Sequence, residues 1–565
     1  MRMQALLPLL LVGGVVGLAL QQPQSSQAAP HTPAPAAQGL GGYLQGVMGL
    51  LNEDPQAAQQ GLFGALSTDP DNLNLRQRAM EAALAAGNTA EALRLAKTLP
   101  EANLTALAQL LRLADAVAQQ DFKAARAHLR QLQVGTPPLP VLGVLDAYLG
   151  AAEGHRLNTL VASVQLAHPG WGGQWHAARL RLGANDAAAA NALLKSALAT
   201  APAALLAAAQ LQPLLPAADQ AALRTAFTAS NPALAPLLSV PTPLASPTLA
   251  DNTAAALLEF ALQVWAEGVP ELAQQILNTT TLLPVKEPLL QPLLPYYRAL
   301  LADSAGQTAL ATELLTSLAR RPDGFGALAK LRLNELQAQG SNAPRTLRAA
   351  AAAGRHLAAQ YPNQPVFWQS ALQLNLAASQ YAAAAETATR LLQLLPAEPS
   401  GTLPQRQADL YFARGAAYAQ AGRSGLAETD LQQAIALDPA HAEALNYLGF
   451  LWVDENRNVA EAYTLLKRAH LLAPNNGAIT DSVGWAYYRQ GDYDTARTYL
   501  ELAAQQEPGT PEILSHLGDT YFQLGQQAEA RKLWQRALEL ANQGADVPSP
   551  DFLQQLQAKV RRGQL

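Results

Sequence analysis

The apolar positions of this chain fall at helical spacing, and toward the C-terminus they also repeat at long range. In DSVGWAYYRQGDYDTA (Asp481 to Ala496), Gly484 is followed by Tyr487 at +3 and Ala496 at +12, then by Leu500 at +16, Ala503 at +19 and Pro508 at +24. The same ruler fits Gly415 with Tyr418, Ala427, Leu431, Ala434 and Pro439. It fits Gly518 with Tyr521, Ala530, Trp534 and Ala537, where Asn542 takes the proline position. Gly449 is followed by Trp452, and Ala462, Leu466, Ala469 and Pro474 fall into place with one residue inserted at DENRN, Asp454 to Asn458. Successive glycines are 34, 35 and 34 residues apart.

A period near 34 with apolar residues at helical spacing describes two antiparallel helices per unit. Small residues let the helix axes approach, and the proline ends the second helix. The pattern resembles tetratricopeptide repeats, with four well-matched units over 408–544. The resemblance implies an all-α fold of helix-turn-helix repeats stacked into a right-handed superhelical solenoid. A loop at ADVPSP and the amphipathic DFLQQLQAKVRR follow, so 545–565 is expected to supply a capping helix.

Upstream the ruler is weaker. Gly46, Ala58, Leu62, Ala65 and Pro70 obey it, as do Trp368, Leu372, Ala384, Ala388, Leu391 and Pro396. AGNTAEALRLA (Ala86 to Ala96) and QQDFKAARAHL (Gln119 to Leu129) look like a turn followed by a second helix. Prolines at 232, 236, 241, 243 and 247 mark 231–248 as a linker. It is expected to divide a degenerate N-terminal array over 42–230 from a middle array over 249–407.

The N-terminus reads differently. One positive charge, Arg2, precedes an uncharged apolar run from Ala5 to Leu20 and a small-x-small site at Ser26, Gln27 and Ala28, the layout of a secretory signal over 1–28. The run is shorter than the ~20 apolar residues of a spanning helix, which favours cleavage; the alternative is an uncleaved anchor that associates the protein with the membrane. Residues 29–41, rich in Pro and Ala, are expected to be a disordered linker. The location implied is exported: periplasm or envelope of a Gram-negative bacterium.

Composition narrows the chemistry. Alanine and leucine, the best helix formers, dominate, and charged residues are 14% against roughly 25% in average proteins. The net charge is -5 and the only basic cluster is KVRR, Lys559 to Arg562, so a nucleic-acid partner is not expected. With no cysteine, disulfides, thiolate metal sites, a cysteine nucleophile and a lipidated N-terminal cysteine are excluded. There is no H-E-x-x-H, phosphate-binding loop or G-x-S-x-G elbow. DENRN lacks the central glycine and final glutamate of a calcium loop. HPGWGGQWH (His168 to His176) reads as a loop folded over a repeat junction, with Trp171 and Trp175 packing. No cofactor, metal or catalytic residue is expected. An enzymatic alternative would pair Asp481 with Asp519, but negative charge near a helix start already accounts for Asp481.

The repeat resemblance implies a concave groove lined by first-helix residues at -3, +1 and +4 from each glycine. These are Asn446, Phe450 and Val453, then Asp481, Trp485 and Tyr488, then Ser515, Asp519 and Phe522, with Tyr447, Arg489 and His516 at the edge. Phe450, Trp485, Tyr488 and Phe522 are expected to face solvent as a binding surface; the alternative is that the cap helix or superhelical curvature covers them. Phe450, Asp481 and Asp519 stand where carboxylate-clamp members carry lysines, so an extended peptide fits better than a C-terminal carboxylate.

The A-L-N-x-L-G and D-S-x-G-W-x-x-Y-R patterns at Ala444 to Gly449 and Asp481 to Arg489 also resemble a proteobacterial envelope group. That group includes the lipoprotein partner of a carboxyl-terminal processing protease. The resemblance implies a non-enzymatic scaffold that binds other proteins or extended peptides and recruits a periplasmic protease or cell-wall enzyme. The alternative is a non-catalytic subunit of a polysaccharide-export or outer-membrane assembly.

Overall fold

The computed structural model describes residues 35–51, 54–133, 139–201, 205–231, 234–239, 246–341, 343–395, 403–543 and 550–564. Every regular element among them is an α-helix or a short 3-10 turn, so the protein is all-α. The signal expected over 1–28 lies outside the described residues. The linker expected over 29–41 is helical from Pro35 onward, within the first helix Pro35–Leu51. No helix among the described residues is long and apolar enough to cross a membrane.

The chain divides into two compact units at Gly340 and Ser341, not at the proline cluster. In the C-terminal unit the four units of the ruler are the helix pairs Leu403–Gln420 with Ser424–Leu437, Ala442–Asp454 with Val459–Leu472, Gly477–Gln490 with Tyr493–Gln506, and Pro511–Gln523 with Gln527–Asn542. The helix Pro550–Arg562 follows as the cap. Each repeat glycine sits where its two helices cross. A Cβ on Gly415, Gly449 or Gly484 would stand 3.1, 2.8 or 2.6 Å from the Cγ of Leu431, Leu466 or Leu500. On Gly518 it would stand 2.6 Å from Trp534 Nε1. The alanines of the ruler, from Ala427 and Ala434 to Ala530 and Ala537, are fully buried beside these contacts, as helices packed this closely require. The inserted residue at DENRN is absorbed by Asn456 and Asn458, both left-handed at φ 52° and 49°, a region asparagine tolerates better than most residues. Earlier in this unit, Trp368, Leu372, Ala384, Ala388 and Leu391 share one cluster between helices Pro365–Ala377 and Tyr381–Leu394.

The N-terminal unit begins with the same device: a Cβ on Gly46 would meet Leu62 Cγ at 2.7 Å. Four further pairs follow, Leu73–Ala85 with Thr89–Thr98, Ala106–Ala118 with Phe122–Gln133, Pro140–Ala152 with Leu157–Ala167, and Trp171–Gly183 with Ala187–Thr200. HPGWGGQWH is therefore a loop only as far as Gly170. Gly170, at φ 101°, turns the chain and Trp171 opens a helix.

Past the proline-rich segment the chain returns to these pairs rather than starting a separate array. Helix Leu249–Ala266 packs on the first helices Ala106–Ala118 and Pro140–Ala152. Helix Pro270–Asn278 and the turn Thr279–Leu282 reach the first helix Leu73–Ala85 and its partner. Ten consecutive residues, Ala250 to Glu259, are buried, so this part of the helix is enclosed on every face, while Gln263 and Ala266 near its end are exposed. Its alanines permit that, since small side chains let neighbouring helices close in from all sides.

Candidate functional site

The first helices of the last three repeats bring the expected groove residues together, and they sort into two groups. Asn446, Tyr447, Asp481, Ser515, His516 and Asp519 are buried, which corrects their expected place on an open surface. Val453, also expected to line the groove, is buried with them. The cause is the stacking of repeats. A -3 side chain points at the first helix of the next repeat, so Asp481 meets His516 Nδ1 at 3.0 Å from both carboxylate oxygens. The last repeat has the cap helix in that place. Lys559 Nζ donates to Asp519 at 2.6 Å and to Ser515 Oγ at 3.3 Å, and Trp534 Nε1 donates to Asp519 at 2.8 Å. Tyr447 accepts a bond from Gln420 Nε2 at 3.2 Å and presents its ring edge-on to Phe412. The carboxylates of the enzymatic alternative are thus each engaged in a buried ion pair.

Phe450, Trp485, Tyr488 and Phe522 are half-buried and Arg489 is exposed. The Trp485 indole is the centre of the group. Tyr488 lies parallel to it at 4.6 Å and 9°, and His516 at 4.1 Å and 19°. Burial alone would lower the pKa of His516, but the Asp481 carboxylate outweighs it and raises the net value, so the imidazole on the indole is held toward its charged form. The same burial raises the Tyr488 phenol. Arg489 reaches Asp454 of the preceding repeat at 3.4 Å. Phe522 leans on Trp534 at 5.7 Å, which ties it to the core under the cap. What remains is a set of half-buried aromatic side chains with one guanidinium beside it, of which Trp485 and Tyr488 are stacked on each other.

A second polar constellation lies in the N-terminal unit. Tyr148 Oη is 2.6 Å from His176 Nδ1, and His176 Nε2 is 2.6 Å from Glu259 Oε2. His168 Nε2 stands 3.1 Å from the other Glu259 oxygen. Burial would raise the Glu259 carboxyl, but the two imidazoles outweigh it and hold it at about 2. Arg179, buried and 5.3 Å over the Trp175 ring, bonds Asn252 at 2.9 Å and Glu287 at 2.6 Å. HPGWGGQWH pointed at this place, but Glu259 is 83 residues from His176, and no local spacing announces a partner so far along the chain. Among the described residues no group of three or more His, Cys, Asp or Glu side chains is arranged to hold a metal ion.

Comparison with protein families finds the tetratricopeptide repeat at residues 408–441 and again over 487–548. The chain contains tetratricopeptide repeats at these residues. A similar protein is the TPR repeat-containing protein PA4667 of Pseudomonas aeruginosa, 44% identical over 92 residues, which are 16% of this chain and 15% of the relative. Cellulose synthase operon protein C of Xanthomonas axonopodis pv. citri is 32% identical over 232 residues, 39% of this chain and 14% of the relative. The chain therefore matches about a seventh of the length of either relative. Among solved structures, the APC/C hetero-tetramer Cut9-Hcn1 aligns with 92% of this chain and 95% of its own, at 15% identity and a TM-score of 0.36. Within the aromatic set Tyr488 and Phe522 also touch the second helix of their own repeat, at Tyr493 and Trp534.

Proposed function

We propose that the chain is an exported, non-enzymatic scaffold of the bacterial envelope that holds an extended peptide or another protein on the first-helix face of its C-terminal repeats. Phe450, Trp485, Tyr488 and Phe522 are the anchors and Arg489 the polar edge. One observation carries this reading: four half-buried aromatic side chains lie at the +1 and +4 positions of consecutive first helices. Preordered aromatic and arginine side chains are the residue types that dominate binding energies at protein interfaces. The apolar run after Arg2 supports export, and the resemblance to envelope repeat proteins favours a periplasmic protease or cell-wall enzyme as partner.

The test is site-specific photocrosslinking in cells, with p-benzoylphenylalanine replacing Phe450 and, as control, Leu471, 80% exposed at the end of a second helix. Adducts are expected from position 450 alone, and the Trp485→Ala, Tyr488→Ala double variant is expected to reduce them at least tenfold. Equal adducts from both positions, or no effect of the double variant, would sink the assignment.

The likeness to cellulose synthase operon protein C over 232 residues favours a second reading, a non-catalytic subunit of a polysaccharide-export assembly. Mass spectrometry of the position-450 adducts separates the two: a hydrolase or protease supports the first, a synthase or export component the second.

A further inference from the structure

Trp485 is sandwiched. Tyr488 lies parallel to its indole at 4.6 Å and 9°, and His516 at 4.1 Å and 19°. Rings this near and this parallel lie over a face of the indole, and two of them on one face would overlap, so each covers one face. A sugar ring or a proline, which docks on an aromatic face, finds none free on Trp485. What the indole still offers is its edge. Nε1 donates to nothing among the described residues, and unlike Trp452 Nε1 it is not buried, so an acceptor arriving from solvent reaches it. Resting on the first-helix face as the partner site, we propose that the partner is an unfolded protein segment whose main-chain carbonyls accept from the Trp485 indole N–H, with Tyr488 and Arg489 as further donors beside it.

The neighbouring polar groups ask for the same chemistry. Tyr488 Oη accepts a long bond from Gln523 Nε2 at 3.5 Å and keeps its own proton to donate, since burial raises its pKa. Arg489 makes only long contacts, at 3.4 and 3.5 Å, both to Asp454. Three donors on one helix call for acceptors. Every peptide carries main-chain carbonyls, but in a folded domain they are already bonded, so only an unfolded segment presents a series of them. Packed helix axes lie about 8–10 Å apart and an extended chain advances about 3.3 Å per residue. Phe450, Trp485 and Phe522, on three successive first helices, therefore match one extended segment of about six residues.

The probe is reduced, carboxymethylated α-lactalbumin, a chain that cannot refold, set against native α-lactalbumin and cellohexaose, each added to the full chain labelled with nitrogen-15. Of the seven tryptophan indole resonances, that of Trp485 is the one lost in Trp485→Phe, which keeps a ring between Tyr488 and His516 but has no N–H. The unfolded chain is expected to move the Trp485 indole proton downfield, and native α-lactalbumin and cellohexaose to leave it in place. Trp485→Phe is expected to bind the unfolded chain about fivefold more weakly, the worth of one net hydrogen bond. The other six indole resonances should stay where they are, which separates a lost donor from a lost fold. The preference of the wild type for the unfolded chain needs no variant and is read even if Trp485→Phe does not fold. No binding of the unfolded chain, undiminished binding by Trp485→Phe, or an equal shift with cellohexaose would overturn the proposal. If position-450 adducts persist in that case, the face remains the partner site and only its chemistry is wrong; if they fail too, the reading of the face falls with it.

Discussion

His441 shows how far one residue's surroundings decide its role. It precedes helix Ala442–Asp454, and its Nδ1 lies 3.3 Å from the Ala444 amide, as an N-cap does. The same nitrogen is 3.2 Å from Glu443, while Nε2 is 3.4 Å from Asp409. Burial would lower the pKa, but Asp409 and Glu443 outweigh it and push it up to about 9. A raised folded pKa contributes stability that is complete below the unfolded value near 6.5 and is lost as pH rises through 9. Neutral imidazole regains the cap to Ala444, so the loss is smaller than the full shift would give, about 2 kcal/mol. The melting temperature of the wild type is therefore expected to fall relative to His441→Gln between pH 6.5 and 9.5, and parallel curves would contradict the assignment. Gly484 makes a simpler case. Its missing Cβ would sit 2.6 Å from Leu500 Cγ, so Gly484→Ala must move one helix and is expected to cost about 2 kcal/mol in urea unfolding.

At the scale of the element, the cap helix is the sharpest dependency. Lys559 is the only amine bonded to Asp519 among the described residues, and both side chains are largely buried. Lys559→Met would leave the carboxylate with Trp534 as donor but no counter-charge, at a cost of about 3 kcal/mol; the double variant Lys559→Met, Asp519→Asn should recover much of it. A thermal shift no larger for the single than for the double variant would refute the pairing. Elements were legible in the sequence where packing repeats at fixed spacing. Gly415, Gly449, Gly484 and Gly518 each meet the residue the ruler placed opposite, because that contact is local to one helix pair. The burial of Asp481, Ser515 and Asp519 was not legible, since it depends on the neighbouring element and not on the position within the repeat. Helix Leu249–Ala266 shows the same limit on a larger scale. Its composition states that it is a helix, but the enclosure of Ala250 to Glu259 depends on helices far earlier in the chain, such as Ala106–Ala118 and Pro140–Ala152. Glu259 and His168 could not be paired from spacing for the same reason.

Across the whole molecule, the two compact units are built with different ranges of interaction. In the C-terminal array the side-chain bonds between repeats join residues about one repeat apart: His516 to Asp481 spans 35 positions and Lys559 to Asp519 spans 40. Such a stack is held by nearest-neighbour interfaces and can open from an end. The N-terminal unit is closed by bonds that span 83 positions at His176 and Glu259 and 194 at Asn278 and Leu84, so its early pairs and its enclosed helix depend on one another. Hydrogen exchange in increasing urea is expected to separate these behaviours. Amides of 73–282 should converge on one opening free energy, because losing the enclosed helix exposes the inner side of several pairs at once. Amides of 403–543 should form a gradient, lowest in the last repeat, and Lys559→Met should lower protection over Pro511–Asn542 first while leaving 73–282 unchanged. A uniform loss across the C-terminal array would show that its repeats unfold as one block, and a gradient within 73–282 would show that the enclosed helix does not bind the N-terminal pairs into a single cooperative unit.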